Sequence, residues 1–288
     1  MAQTEGLLDH LPLLPSALPC DRAHDHEVID VSSTLDTTAP PEQRASRWTA
    51  DLDIVVPVWN EEARLGPTLA ALLAQVAELP LSVVVTVVDN GSVDRTAEVV
   101  DAAAETAPPN ARLRLIGCSR QGKGAAVRRG MLASTARWRG FCDADLSTPP
   151  SLIMPVFEQL RQGDPVVIGS RRAPGASYVV AQPLVRRLGS LAFRAMTSSL
   201  TGGVVDTQCG FKFFSAEAAE AIFPRVTGTG FAFDVEVLAI ANRLGFPVCE
   251  LPVQWTDDAS GSSFSLWTHG PRILSEVRSL RSSLAHVA

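Results

Sequence analysis

Apolar positions along this chain fall into short unbroken runs separated by stretches of helical spacing. The first run, Leu52-Asp53-Ile54-Val55-Val56-Pro57-Val58, is β-branched and stops at the polar turn Trp59-Asn60-Glu61-Glu62. A helix is predicted to follow, because Leu65, Leu69, Leu72, Leu73 and Val76 recur at helical intervals. Asn60 is placed to cap it, and Glu61 and Glu62 suit its positive end. Leu81 to Val88 is almost wholly apolar, as a strand buried on both faces of a parallel sheet should be. It stops at Asp89-Asn90-Gly91-Ser92, where Ser92 is placed to cap a helix carrying Val99, Val100 and Ala103. Arg112 to Ile116 reads as a third strand, and Gly122-Lys123-Gly124 opens a helix with Val127, Met131 and Leu132. The run Phe141-Cys142-Asp143-Ala144-Asp145-Leu146 reads as a central strand that carries two acids to its exposed end.

Further along, Thr148-Pro149-Pro150 suits a helix start, and Val166 to Ser170 is another strand. Leu184, Leu188, Leu191 and Met196 mark a helix among Arg171, Arg172, Arg186, Arg187 and Arg194. Asp206 to Lys212 is a loop into Phe213-Phe214, a helix carries Phe233-Asp234-Val235-Glu236, and Val248 to Val253 is a late strand. Strand and helix alternate, so the expected fold class is α/β, with a mostly parallel central sheet flanked by helices. In such sheets ligands bind at the carboxyl ends of the strands, where Asn60, Asp89 and Asp143 all fall. Residues 1–48 lack a sustained apolar period and read as a disordered tail. The domain spans 49–256, and 257–288 reads as a lid followed by an amphipathic helix carrying Ile273, Leu274, Val277, Leu280 and Leu284.

Composition narrows the function. The chain has 288 residues and a net charge of −6, so the basic footprint of a nucleic-acid binder is missing. Its five cysteines form an odd set with no C-x-x-C pair, which fits reduced cytosolic thiols. His10, His24, His26 and His286 lie in the terminal segments, leaving His269 near the body, so a Ser-His or Cys-His nucleophile is not expected. No apolar run approaches the roughly 18 to 20 residues that span a bilayer. The expected setting is cytoplasmic, with the Arg-flanked C-terminal helix able to touch the inner membrane surface.

Asp143 and Asp145 are a pair of carboxylates on a short tether. Hard ions such as Mg²⁺ or Mn²⁺ take oxygen ligands and bridge carboxylates to phosphates, so the pair suits a metal and diphosphate site. Residues i and i+2 of a strand share a face, which would send both into one crevice. Two solvated turn acids would look the same; the neighbours decide. Gly122-Lys123-Gly124 matches neither a P-loop nor a dinucleotide fingerprint, but it offers backbone N–H groups and a cation to an anion.

Val56-Pro57-Val58-Trp59-Asn60-Glu61-Glu62, Asp89-Asn90-Gly91-Ser92, Gly122-Lys123-Gly124, Asp143-Ala144-Asp145, Gly169-Ser170-Arg171 and Asp206-Thr207-Gln208-Cys209-Gly210-Phe211-Lys212 stand in one order. In this the chain resembles the inverting family 2 glycosyltransferases over residues 52 to 256, most of all the dolichyl- and polyprenyl-phosphate glucosyl- and mannosyltransferases. The resemblance implies a GT-A fold that binds a nucleotide sugar, with UDP-sugar as donor. Pro57, Trp59, Glu61, Asp89 and Asn90 would line the nucleoside pocket, and Lys123 and Ala144 would lie beside them. Asp143 and Asp145 would hold the Mg²⁺ or Mn²⁺, with Asp145 catalytic and His269 a further metal ligand. Arg171 and one of Arg186 or Arg187 would receive the acceptor's phosphate, with Gln208 a further acceptor contact.

Three departures bear on the substrates. Asn90 stands where the family usually has a second Asp, and Ser147 where many mannosyl members carry Gln, which leans the donor toward glucose-type sugars. The membrane segments that many members carry are absent from this sequence. Two acceptors therefore stay open. A polyprenyl phosphate arrives ionised and needs no base, whereas a soluble hydroxyl or amine needs a proton removed, for which Asp206 is the candidate. A non-catalytic nucleotide-sugar sensor is the third reading.

Overall fold

The computed structural model describes residues 48–178, 193–230, 232–255, 276–278 and 280–282. The predicted tail, Arg186, Arg187, Leu184, Leu188, Leu191 and His269 lie outside the described residues.

Among the described residues β1 (Leu52–Val58), β2 (Val83–Asp89), β3 (Ala111–Gly117), β4 (Trp138–Cys142), β5 (Val166–Ser170), β7 (Phe211–Ser215) and β8 (Val248–Pro252) form one seven-stranded sheet. Their order is β3-β2-β1-β4-β7-β5-β8. β6 (Ser177–Tyr178) and β9 (Gln254–Trp255) make a separate parallel pair. The sheet is mostly parallel, as expected, with one exception: β7 runs antiparallel to both neighbours, Cys142 opposite Phe211 on one side and Ile168 opposite Lys212 on the other. Its short approach loop at 206–210 therefore enters from the end of the sheet where β4 and β5 finish.

Both faces are covered. The helices with fully described bounds are α1 (Leu65–Ala77), α2 (Thr96–Glu105), α3 (Lys123–Ala133), α4 (Ile153–Gln162), α5 (Ala216–Ile222) and α6 (Phe233–Arg243). Leu65, Leu69, Leu72 and Val76 of α1 join Val156 and Phe157 of α4 against Ile54 and Val56 on one face. Val127 and Met131 of α3, with much of α6, pack against Val55, Phe141 and Phe214 on the other. This is why β1 has no polar alternation, since its successive side chains enter two different cores. Asp53 is the polar position on β1 that stays buried, and it is satisfied by the Thr86 hydroxyl at 2.7 Å and Arg114 Nη2 at 3.0 Å.

Two predicted helix caps are corrected. α1 begins at Leu65 with no side-chain cap, and Asn60, at φ 54°, uses its Oδ1 to accept from Val93 N at 2.9 Å. α2 begins at Thr96, whose backbone N–H is taken by Asp94 Oδ1, while Ser92 donates to Asp89. These side chains stitch the β1 and β2 loops to each other: Asn60 N donates to Ser92 Oγ, Glu61 N to Thr96 Oγ1 and Glu62 N to Asp94 Oδ2. Cross-links between loops outcompete local capping here, because they fix the rim of the crevice above the sheet.

Candidate functional site

A cleft of about 530 Å³ opens at the carboxyl ends of β1, β2 and β4. Pro57, Trp59, Glu61, Asn90, Lys123, Asp143, Ala144 and Asp145 line it, with Arg64, Gln121 and Gly122, two of which are not among the sequence candidates. Trp59 is 63% exposed, a large apolar ring held at the mouth. Burial pushes the Glu61 carboxyl up, Arg64 opposes this, and Asp145 and Asp94 add to it. Asp89 does not line the cleft. It stands behind, its Oδ1 accepting from Ser92 N at 2.9 Å and Ser92 Oγ at 2.6 Å. Asn90 binds the 118–122 loop: its Nδ2 donates to the carbonyls of Cys118 and Arg120, and its Oδ1 accepts from Gly122 N at 2.7 Å. An aspartate could not make the two donations, so the Asn is suited to this loop.

The two acids reach the cleft by a turn, not by strand alternation. β4 ends at Cys142, Asp143 N donates to Gly210 O at 3.1 Å, and Leu146, at φ 48°, returns its N–H to Asp143 O at 3.3 Å. The expectation that residues i and i+2 of a strand supply the geometry is thereby corrected. Gly210 is required for another reason, since a Cβ there would overlap the Asp143 carboxylate. Asp145 Oδ1 accepts from Ser147 N at 2.9 Å. Among the described residues no group of three or more metal-ligating side chains comes together. The two carboxylates and the hard-ion preference for oxygen fit a divalent cation whose remaining ligands are phosphate oxygens and water.

Behind the acids lies a line of alternating charge that the sequence reading missed. Lys123 Nζ contacts Asp143 Oδ1 at 2.7 Å and Asp234 Oδ2 at 3.7 Å, while Lys212 Nζ contacts Asp234 Oδ1 at 2.5 Å. Lys212 is fully buried on β7 and also donates to Cys209 O. Burial alone would lower the Lys123 pKa, but Asp143, Asp234 and Asp145 raise it well above its ordinary value. Burial would raise Asp234, and the two lysines bring it below the usual carboxylate range. Burial pushes Asp143 up, Lys123 pulls against it at 2.7 Å, and Asp145 and Asp234 push further.

Across β7 sits a second cluster. Arg171 Nε and Nη2 donate to Asp206 Oδ2 and Oδ1 at 2.7 and 2.6 Å, and Arg171 N adds a bond to Oδ2 at 2.9 Å. Burial would raise the Asp206 pKa; Arg171 holds it below the ordinary range. Glu250 of β8 accepts from Val205 N and Asp206 N at 2.8 and 3.0 Å, fixing the approach loop of β7. Gln208 N donates to Asp206 Oδ1 at 3.3 Å, and the Trp255 ring lies 4.8 Å from the Arg171 guanidinium. Gln208 Nε2 and Trp255 Nε1 are buried and have no hydrogen-bond partner among the described residues. Nearby thiols offer no nucleophile, since burial pushes Cys209 up to about 11 and Cys142 higher still. Among the described residues, Cys118, Cys142, Cys209 and Cys249 form no disulfide.

The glycosyl transferase family 2 profile matches residues 53–223. A dolichyl-phosphate beta-glucosyltransferase of Dictyostelium discoideum is 34% identical over 218 residues, 72% of this chain and 66% of the relative. The human dolichyl-phosphate beta-glucosyltransferase is 30% identical over 265 residues, 85% of this chain and 80% of that protein. The chain thus spans slightly under two thirds of the length of the Dictyostelium protein. Among solved structures, glucosyl-3-phosphoglycerate synthase from Mycobacterium tuberculosis, in complex with Mn²⁺, UDP and glucosyl-3-phosphoglycerate, superposes with a TM-score of 0.60 at 19% identity, covering 86% of each chain. That likeness is one of fold, and the fold is the GT-A arrangement.

Proposed function

We propose that this chain, which belongs to glycosyl transferase family 2, moves glucose from UDP-glucose to the phosphate of a polyprenyl phosphate, with inversion at the sugar. The relatives named as dolichyl-phosphate beta-glucosyltransferases support the donor and the acceptor class. In this reading Pro57, Trp59, Glu61 and Asn90 shape the nucleoside pocket, and Asp89 acts from behind by holding the Ser92 loop. Asp143 and Asp145 would hold Mg²⁺ or Mn²⁺, which would supply positive charge to neutralise a departing diphosphate. Lys123 places an ammonium at the same floor.

The observation that carries the acceptor class is the Arg171–Asp206 pair. A carboxylate gripped through both oxygens, with its pKa depressed, is a poor general base. An ionised phosphate needs none, and a guanidinium held by Asp206 through Nε and Nη2 would turn its Nη1 side to phosphate oxygens. Asp206 thus serves this reading by orienting Arg171, with Arg186, Arg187 and Gln208 as further acceptor contacts. The protein would work at a cytoplasmic membrane surface; among the described residues no helix is long and apolar enough to cross a membrane.

The test is an incubation of the protein with UDP-glucose and other UDP-sugars, with Mg²⁺, Mn²⁺ or chelator. A short polyprenyl phosphate is offered beside soluble alcohol and amine acceptors. Metal-dependent glucosyl polyprenyl phosphate is the expected product. Transfer to a soluble acceptor alone would replace the acceptor assignment, and UDP binding without any turnover would favour a sensor.

A further inference from the structure

We infer that Asp234, anchored by the buried Lys212, is a positioning residue that fixes the Lys123 ammonium at the floor of the donor cleft, independently of Asp143. The inference rests on the donor-site reading above and adds residues from a distant part of the chain. Lys212 is fully buried, and a buried ammonium requires a compensating carboxylate. It has one in Asp234 Oδ1 at 2.5 Å, which leaves Oδ2 directed at Lys123, 3.7 Å away.

Asp234 is in turn immobile. It lies in the first turn of α6, 5% exposed, beside a loop fastened by Glu236, which accepts from Thr227 N, Thr227 Oγ1 and Gly228 N. That loop grips the start of α3: Thr229 O accepts from Gly124 N at 3.2 Å. Gly122, at φ 115°, passes so close that a Cβ would overlap the same carbonyl. The start of α6 and the Gly-Lys-Gly turn therefore behave as one block.

The consequence is functional. Were Lys123 held by Asp143 alone, engaging that carboxylate elsewhere would release the lysine. With Asp234 behind it, Lys123 keeps its place while Asp143 changes partner. The alternation of Lys212, Asp234, Lys123 and Asp143 also balances two positive charges with two negative ones, so neither ammonium is stranded.

UDP affinity, measured by calorimetry on the full chain with chelator and with Mn²⁺, reads this directly. Asp234→Asn should weaken UDP binding about tenfold, the size of a coupling between neighbouring charged groups. In a Lys123→Met background the same change should add nothing further. Equal losses in both backgrounds, or no loss in either, would overturn the inference. Asp234→Asn also strands Lys212 and lowers the melting temperature, so Lys212→Met/Asp234→Asn supplies the control. That pair should regain stability while UDP binding stays weak. Recovery of affinity along with stability would reduce Asp234 to a counter-ion of Lys212 and end the proposal. Absence of UDP binding by the wild-type chain is a separate outcome, which removes the donor-site reading itself.

Discussion

The two charged clusters flanking β7 solve the same problem in different ways. On the β4 side, lysines meet carboxylates through single contacts, one as long as 3.7 Å, and Lys123 and Asp143 remain roughly one-third exposed beside an open cleft. On the β5 side, Arg171 grips Asp206 through a planar fork, reinforced by its own backbone N–H and by Glu250, with Asp206 3% exposed. An ammonium is a compact charge with rotatable donors, whereas a guanidinium holds one geometry. The first cluster can therefore redistribute its contacts when charge enters the cleft, and the second is fixed beforehand. A donor that brings a diphosphate and a cation needs the former, and recognition of a single anionic group needs the latter.

The strongest way to break this contrast is Arg171→Met. Removing one partner of a buried pair leaves Asp206 uncompensated, which should cost about 3 to 5 kcal/mol in chemical denaturation. Lys123→Met, on the open side, should cost well under half of that, and equal losses would erase the distinction. Asp145→Asn comes next: it should reduce kcat by about 10² to 10³, a loss typical for removing one group that stabilises developing charge, with melting unchanged. A variant with full metal-dependent turnover would refute the assignment of Asp145.

Asp89→Ala should weaken UDP binding by about 1 kcal/mol, equally with and without Mn²⁺, because Asp89 acts on the cleft only through the Ser92 loop that it holds. A loss confined to Mn²⁺ would tie Asp89 to the diphosphate side. The smallest effect is in the pH dependence of stability. Asp206 has a depressed folded pKa, so its contribution is complete above the unfolded carboxyl value of about 4 and is lost as pH falls through the folded value. Asp143 is shifted the other way, so its contribution is complete below that value and fades as pH rises through the folded one. Acid melting curves should accordingly flatten in Asp206→Asn and not in Asp143→Asn.

Much of the scaffold was legible in the chain because it depends on near neighbours. The β1 run read as a strand and the β2 run as one buried on both faces, and both are largely buried. The order of turn motifs placed the cleft, and Pro57, Trp59, Glu61, Asn90, Lys123, Asp143 and Ala144 do line it. What escaped were interactions between distant residues. Lys212 was visible only as the end of a polar loop, and the carboxylate that compensates it, Asp234, lies twenty-two positions on. Glu250 looked like an ordinary strand acid, although it holds the backbone of Asp206. Asn60 and Ser92 had the right chemistry for caps, but their partners lie in each other's loops. The buried Lys212 offered one signal in retrospect, a lone lysine between Phe211 and Phe213, which an exposed loop would not favour.

β7 also acts as a ruler. Because it is the one strand between β4 and β5, the ends that carry Asp143 and Arg171 are separated by two ladder spacings, about 10 Å. Side-chain substitution cannot shorten that interval, because it is written in backbone hydrogen bonds. In the proposed reading donor and acceptor would meet across that interval, so the gauge of the sheet would limit which partners can meet, before any pocket residue discriminates among them.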